Sequence, residues 1–208
     1  MSDTKIKLYG FPLSGHAHRI QLALSLMGIP FDLEQVNLAK GEQRSDWFKK
    51  LNPAGKVPVL VDGDNVISDS TAILTYLAKK FDDGTWFPES AVEAADVEKW
   101  FVSASTLLAQ GPAAARLINL FGAAYDKVET VQKANDYLSF LDNALEGKSY
   151  LVADRPTFAD VAIYSYVAHA PEGHVSLAPY KNVTGWLARI EALDGFVPMQ
   201  KTEVAAAA

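Results

Sequence analysis

The sequence contains no cysteine. That absence excludes disulfides, thiolate metal ligands and a cysteine nucleophile, and it suits a reducing compartment; any thiol chemistry must arrive with a ligand. Long apolar runs are missing too. The longest uncharged stretch, Trp100 to Ala115, contains Gly111 and Pro112 and falls short of the roughly 20 apolar residues that span a bilayer, so it reads as a buried helix and no membrane is expected. Positive charge is scarce: 19 Lys and Arg stand against 25 Asp and Glu, a formal net charge of −6. Such a balance repels phosphate backbones unless a basic face is segregated, and short pairs such as Lys49-Lys50 and Lys79-Lys80 build none, so no nucleic acid is expected as a partner. The opening MSDTKIKLYG is charged and turns directly into a strand-like run without an apolar leader, which gives the expectation of a cytoplasmic protein.

What is present is a chain of 208 residues, long enough to bury a core without covalent staples. Residues 5 to 9 alternate as a strand does, and Gly10, Pro12 and Gly15 break the pattern. A helical pattern runs from Ala17 through Ile20, Leu22, Ala23, Leu24 and Leu26 until Gly28 and Pro30 stop it. Phe31 to Val36 reads as a second strand, followed by a short helix around Gln43 to Lys50. In VPVLVDGDNVIS two apolar runs flank Asp62-Gly63-Asp64-Asn65, a hairpin signal. Ser68-Asp69-Ser70 then caps a helix marked by Ile73, Leu74, Tyr76 and Leu77. The order β-α-β-α-β-β-α predicts two parallel strands joined through a helix, with an antiparallel hairpin added to the same sheet. Beyond a linker at 81–89, helical patterns cover 91–110, 113–122, 126–145, 157–169 and 180–193. The expected organisation is an α/β domain over 1–80, a linker over 81–89 and an all-α domain over 90–208, with Ala205 to Ala208 as a frayed tail.

Three separated motifs carry a family resemblance. Ser14-Gly15-His16-Ala17-His18-Arg19 follows the first strand, which ends on the aromatic Tyr9. Asn52-Pro53-Ala54-Gly55-Lys56-Val57-Pro58-Val59-Leu60 precedes Ser68-Asp69-Ser70-Thr71-Ala72-Ile73. Pro156-Thr157-Phe158-Ala159-Asp160 opens a helix of the second half. In this order and spacing the set resembles the cytosolic glutathione transferases of the serine type (theta and zeta), over nearly the whole chain. The resemblance implies a thioredoxin-like N-terminal domain, an all-helical C-terminal domain and glutathione as co-substrate. It also implies a small hydrophobic electrophile as the second substrate, detoxifying conjugation or hydroperoxide reduction as the activity, and a homodimer.

It further implies that glutathione lies along Ser14, Val57, Pro58, Asp69 and Ser70, with Asn52, Lys56 and Lys40 or Gln43 at its glycine end. A cis Val57-Pro58 bond would turn the Val57 amide and carbonyl outward, so that an extended peptide could pair as a short added strand; a trans proline marking a strand edge is the alternative. Asp and Ser at a helix start have an ordinary use as caps. The functional use adds a ligand carboxylate on Ser70 and an ammonium on Asp69, the two charges of a γ-glutamyl group. Thr157 to Asp160 is a capping box, a folding signal without direct chemistry.

Ser14 is the expected catalytic residue. A free thiol ionises near ~8.5, so a bound thiolate at neutral pH requires about 2.7 kcal/mol of differential stabilisation. A donated hydroxyl hydrogen bond supplies ~1.5–3 kcal/mol and a helix N-terminus ~0.3–1. Tyr9 is the competing donor, and a core role for it is the alternative. For the electrophile, position suggests Tyr9, Phe11 and Leu13 together with Phe101, Ser105 and Arg116. His16 and His18 lack a third ligand, so no metal is expected, and the absence of a Cys near His16 departs from the zeta pattern. A non-catalytic binding module of the same fold and a glutathione-dependent dehalogenase or isomerase are the competing functions.

Overall fold

The computed structural model describes residues 5–203; the tail Ala205–Ala208 lies outside them. The chain forms two compact units, one reaching Asp83 and including Asp194–Gln200, the other Gly84–Leu193 with residues 201–203.

The first unit runs β1 (Ile6–Gly10), α1 (Gly15–Leu26), β2 (Phe31–Gln35), two 3-10 turns (Leu38–Lys40 and Glu42–Arg44), α2 (Asp46–Leu51), β3 (Val59–Asp62), β4 (Asn65–Ser68) and α3 (Ser70–Phe81). The sheet order is β2-β1-β3-β4. β1 and β2 are parallel, with Leu8 opposite Leu33, while β3 is antiparallel to β1 and to β4, with Val59 opposite Tyr9 and Ser68. This is the mixed thioredoxin-like sheet that the element order predicts, and the second unit is helical.

Alternation along β1 decides what each face covers. Ile6, Leu8 and Gly10 are buried, and a Cβ on Gly10 would lie 3.1 Å from the Ala17 Cβ, so this face packs α1. Tyr9 points to the other face, where it joins Val36, Phe48 of α2 and Val59. Ile20, Leu22 and Leu24 of α1 are fully buried, each contributing roughly 1.5–3 kcal/mol by leaving water.

The segment Asp194–Gln200 departs from the expected continuous helical domain over 90–208. It returns to the first unit, where Ser25 Oγ donates to the Gly195 carbonyl at 2.6 Å and His18 Nε2 to the Val197 carbonyl at 2.8 Å. Gly195 is required for the approach: its φ is +81°, and a Cβ there would lie 2.8 Å from the Ser25 carbonyl oxygen.

The second unit consists of α4 (Ala91–Ser105), a π-helical segment (Ala109–Ala113), α5 (Ala114–Phe121), α6 (Lys127–Ala144), α7 (Phe158–Ala168), a 3-10 turn (Ala170–Gly173) and α8 (Lys181–Glu191). The helix expected over 91–110 ends early. Thr106 leaves helical geometry, and Pro112, without an N–H, sits inside the π segment. α7 is buried along nearly its full length. Its capping box is heavily used: Asp160 accepts from the Thr157 N–H at 2.8 Å and hydroxyl at 3.1 Å, the Leu151 N–H at 3.0 Å and the Trp186 indole N–H at 2.8 Å.

Candidate active site

The N-terminus of α1 presents Ser14 as its cap. The Ser14 N–H donates to the Phe11 carbonyl at 2.9 Å, its own carbonyl accepts from His18 N–H at 2.9 Å, and its Oγ accepts from the Ala17 N–H at 3.3 Å. A hydroxyl that accepts in this way keeps its own hydrogen to donate, and it does so at the positive end of a 12-residue helix. Phe11 and Leu13 are half-buried in the turn beside it.

The N-terminus of α3 presents Asp69 and Ser70. Asp69 is the cap, with Oδ1 accepting from the Thr71 N–H at 2.9 Å, the Thr71 hydroxyl at 2.8 Å and the Ala72 N–H at 3.4 Å. Burial works to raise its carboxyl, but these bonds outweigh it and hold the group below its usual value. Asp69 adopts φ 74° and ψ 130°, a conformation that favours glycine, so backbone strain is stored at this point of the site.

Two side chains of α1 tie the helix ends together. Arg19 is 0% exposed, and its Nη1 donates to Ser70 Oγ at 2.6 Å. His16 Nδ1 lies 3.2 Å from Ser70 Oγ and 3.2 Å from Arg19 Nη1. Burial, then the charge of Arg19 and more weakly that of Lys56, pulls the His16 imidazole down to about 3 against the opposing pull of Asp69. The ring is neutral near pH 7.

The third wall is the loop after α2. Asn52 donates from Nδ2 to the Lys56 carbonyl at 2.7 Å and accepts at Oδ1 from Ala54 N–H at 3.0 Å, with Gly55 at φ +62°. This buried amide shapes the turn that delivers Val57-Pro58, whose peptide bond is cis. Pairing of β3 with β1 begins at Val59, so Val57 lies ahead of the ladder. The Lys56 side chain is exposed. Lys40 is exposed on the first 3-10 turn, its N–H bonded to Asn37 Oδ1 at 3.0 Å.

Several sequence expectations change. Tyr9 stands on the α2 face, its ring 5.9 Å from that of Trp47, so the alternation of β1 carries it away from the α1 face and into packing. Arg116 is 1% exposed with its Nε paired to Glu172, which also accepts from His169 Nδ1 at 2.9 Å and Thr202 N–H at 2.9 Å. This buried cluster holds the Arg116 guanidinium within the second unit, against Glu172. Phe101 is buried with its ring 6.3 Å from Phe87, and the Ser105 hydroxyl is bonded back to the Phe101 carbonyl at 3.1 Å. Arg19 escaped the sequence reading as a site residue. The signal was there: a cation within Ala17 to Leu24, a stretch whose pattern of Ile20, Leu22, Ala23 and Leu24 reads as a buried helix.

Residues 13–80 match the model of the glutathione S-transferase N-terminal domain and residues 106–194 that of the glutathione S-transferase C-terminal domain. The chain is 40% identical over 133 residues to glutathione S-transferase Z2 of Arabidopsis thaliana, covering 63% of this chain and 57% of that protein. It therefore spans just over half the length of that relative. It is 32% identical over 213 residues to glutathione S-transferase 3 of Zea mays, covering 96% and 94% of the two chains. A crystal structure of glutathione S-transferase from Pseudomonas fluorescens superimposes with a TM-score of 0.89 at 28% identity, over 95% of this chain and 100% of that one.

Proposed function

The chain belongs to the glutathione S-transferase family, and from that premise we propose that it is a glutathione transferase: it binds glutathione as co-substrate, holds its thiol as the thiolate, and directs it at small hydrophobic electrophiles or hydroperoxides. The observation that carries this reading is the meeting of the α1 and α3 N-termini through Arg19, His16 and Ser70. Two positive helix ends with hydroxyls fit a ligand that is anionic at two points, a thiolate and a carboxylate. Ser14 donates to the sulfur. Ser70 meets the γ-glutamyl carboxylate with its hydroxyl and N–H, and Asp69, kept ionised by its three bonds, meets the ammonium. Val57 offers its backbone to the cysteinyl residue, with Pro58 fixing the approach. Lys56 and Lys40 supply cations at the glycine end, and Asn52 acts by holding the loop. Phe11 and Leu13 give an apolar edge beside the sulfur. Ser105 remains a proposed contact of the electrophile.

We further read the protein as a cytoplasmic homodimer. The exposed Val66 and Phe81 of the first unit and Val102, Leu107 and Phe140 of the second are apolar surface of the kind that association covers. Among the described residues no helix is long and apolar enough to cross a membrane. The decisive experiment is calorimetric titration with glutathione, followed by turnover assays with an aryl halide and with an organic hydroperoxide. Saturable binding with turnover of either substrate is expected. A protein that binds glutathione but turns over neither, or that does not bind it, defeats the reading.

A further inference from the structure

Arg19 and His16 carry no step in the reading above, yet their geometry is specific. A guanidinium is always charged and only donates. Its Nη1 lies 3.2 Å from His16 Nδ1, so Nδ1 must accept, and the proton of the neutral ring sits on Nε2. The same Nη1 donates to Ser70 Oγ at 2.6 Å. With that lone pair engaged, the Ser70 hydrogen turns away from Arg19, and the one lone pair of His16 Nδ1, although 3.2 Å from Oγ, is already taken by Nη1, so the hydrogen is left for a ligand. A hydroxyl that accepts a charge-assisted bond is in turn a stronger donor.

We propose that Arg19 and His16 are positioning residues for the ligand's γ-glutamyl carboxylate: Arg19 pins the Ser70 oxygen and polarises its O–H, while His16, as the Nε2–H tautomer, accepts from the same Nη1 and keeps it on Ser70, so that the O–H is left to the carboxylate. The inference rests on the reading that this site takes glutathione. It assigns a specificity: the subsite selects a carboxylate over a carboxamide, because the Ser70 O–H, polarised by the bond from Arg19, and the α3 N-terminus both act on that one position. Stability alone does not call for the arrangement. A guanidinium that is 0% exposed costs desolvation that an apolar side chain of similar volume would not.

The test uses calorimetry on the wild type and on the Arg19→Met, Arg19→Lys, Ser70→Ala and Arg19→Met/Ser70→Ala variants. The two ligands are glutathione and its analogue with the γ-glutamyl carboxylate converted to a carboxamide. Arg19→Met should weaken glutathione by roughly 10- to 100-fold, the worth of a charge-assisted hydrogen bond, and the carboxamide far less. Arg19→Lys should restore part of the loss. The double variant should bind no more weakly than Ser70→Ala, and in turnover the loss should fall on KM for glutathione rather than on kcat. Should Arg19→Met fail to fold, nitrogen NMR of His16 in the wild type decides, with Nδ1 unprotonated and Nε2 protonated between pH 5 and 8. A protonated Nδ1, or equal weakening of both ligands, overturns the inference while leaving the functional reading intact. A wild type that binds glutathione no better than the carboxamide overturns the inference too, and one that binds neither overturns both.

Discussion

In the proposed reading Ser14 performs two tasks through one oxygen, and three substitutions separate them. Ser14→Ala removes the bond from Ala17 N–H at 3.3 Å, which costs about 1 kcal/mol of stability, together with the hydrogen given to the sulfur. Lowering a bound thiol from ~8.5 to about 6.5 needs about 2.7 kcal/mol. The α1 N-terminus supplies ~0.3–1 of this and the hydroxyl the remaining ~1.5–3. Its loss should therefore raise the bound thiol's pKa by about 1–2 units and reduce turnover at neutral pH by ~10–100-fold, with recovery at higher pH as the thiol ionises unaided. Ser14→Gly should show the same titration with little loss of stability, because glycine caps a helix within a few tenths of a kcal/mol of serine. Ser14→Thr should keep both functions. The assays are ultraviolet titration of the thiolate in the binary complex, the pH profile of turnover, and thermal melts. If both Ala and Gly leave the titration where it was and only raise KM, Ser14 merely holds the ligand. If Tyr9→Phe shifts the titration and Ser14→Ala does not, the placement of Tyr9 in packing on the α2 face is overturned.

Three further outcomes follow from other parts of the molecule. Asp69→Gly should relieve the backbone at φ 74° and melt at or above the wild-type temperature, while Asp69→Ala should lose about 1 kcal/mol; both should weaken glutathione, and a more stable Ala variant would remove the strain argument. Gly111→Ala should lower the melting temperature, because its Cβ would lie 3.0 Å from Ala134 backbone atoms, and overpacking at ~1–3 kcal/mol exceeds the ~1 kcal/mol gain in helix propensity; a rise in melting temperature would refute this. Burial works to raise Glu172, but Thr202 N–H, His169 and Arg116 outweigh it and hold its carboxyl low. A carboxyl depressed on folding adds stability that is complete above its unfolded value of ~4.3 and is lost as pH falls through the folded one. Melts below about pH 4.3 should thus fall less steeply for Glu172→Gln than for the wild type, and equal slopes would count against the cluster.

Much of the architecture was legible because its causes are local. The β3–β4 hairpin turns at Gly63, where Asp-Gly chemistry asks for a turn. The caps of α1 and α3 are Ser14 and Asp69, residue types that satisfy the first amides of a helix wherever they stand. The capping box of α7 is likewise readable at a spacing of three residues. Its fourth donor, the Trp186 indole at 2.8 Å from Asp160, was not readable, since nothing in the local pattern of α8 requires it.

The same division between local and distant causes holds at the candidate site. Arg19 and Ser70 meet at a sequence separation of 51 residues, and Arg116 and Glu172 at 56. Each arginine lies inside a helix with a buried apolar face, where periodicity places the Cβ on that face but is silent about the far end of the side chain. A buried cation must find an oxygen, so both positions announced a partner without naming it. Arg19 reaches the hydroxyl at the start of α3, which sets it beside the proposed site. For Arg116 the partner is a carboxylate of the second unit already shared with His169 and Thr202, which makes it part of the packing. Arg19 brings Nη1 to a hydroxyl at a helix N-terminus and Arg116 brings Nε to a carboxylate, and a charge-assisted bond to a hydroxyl strengthens what that hydroxyl can donate in turn.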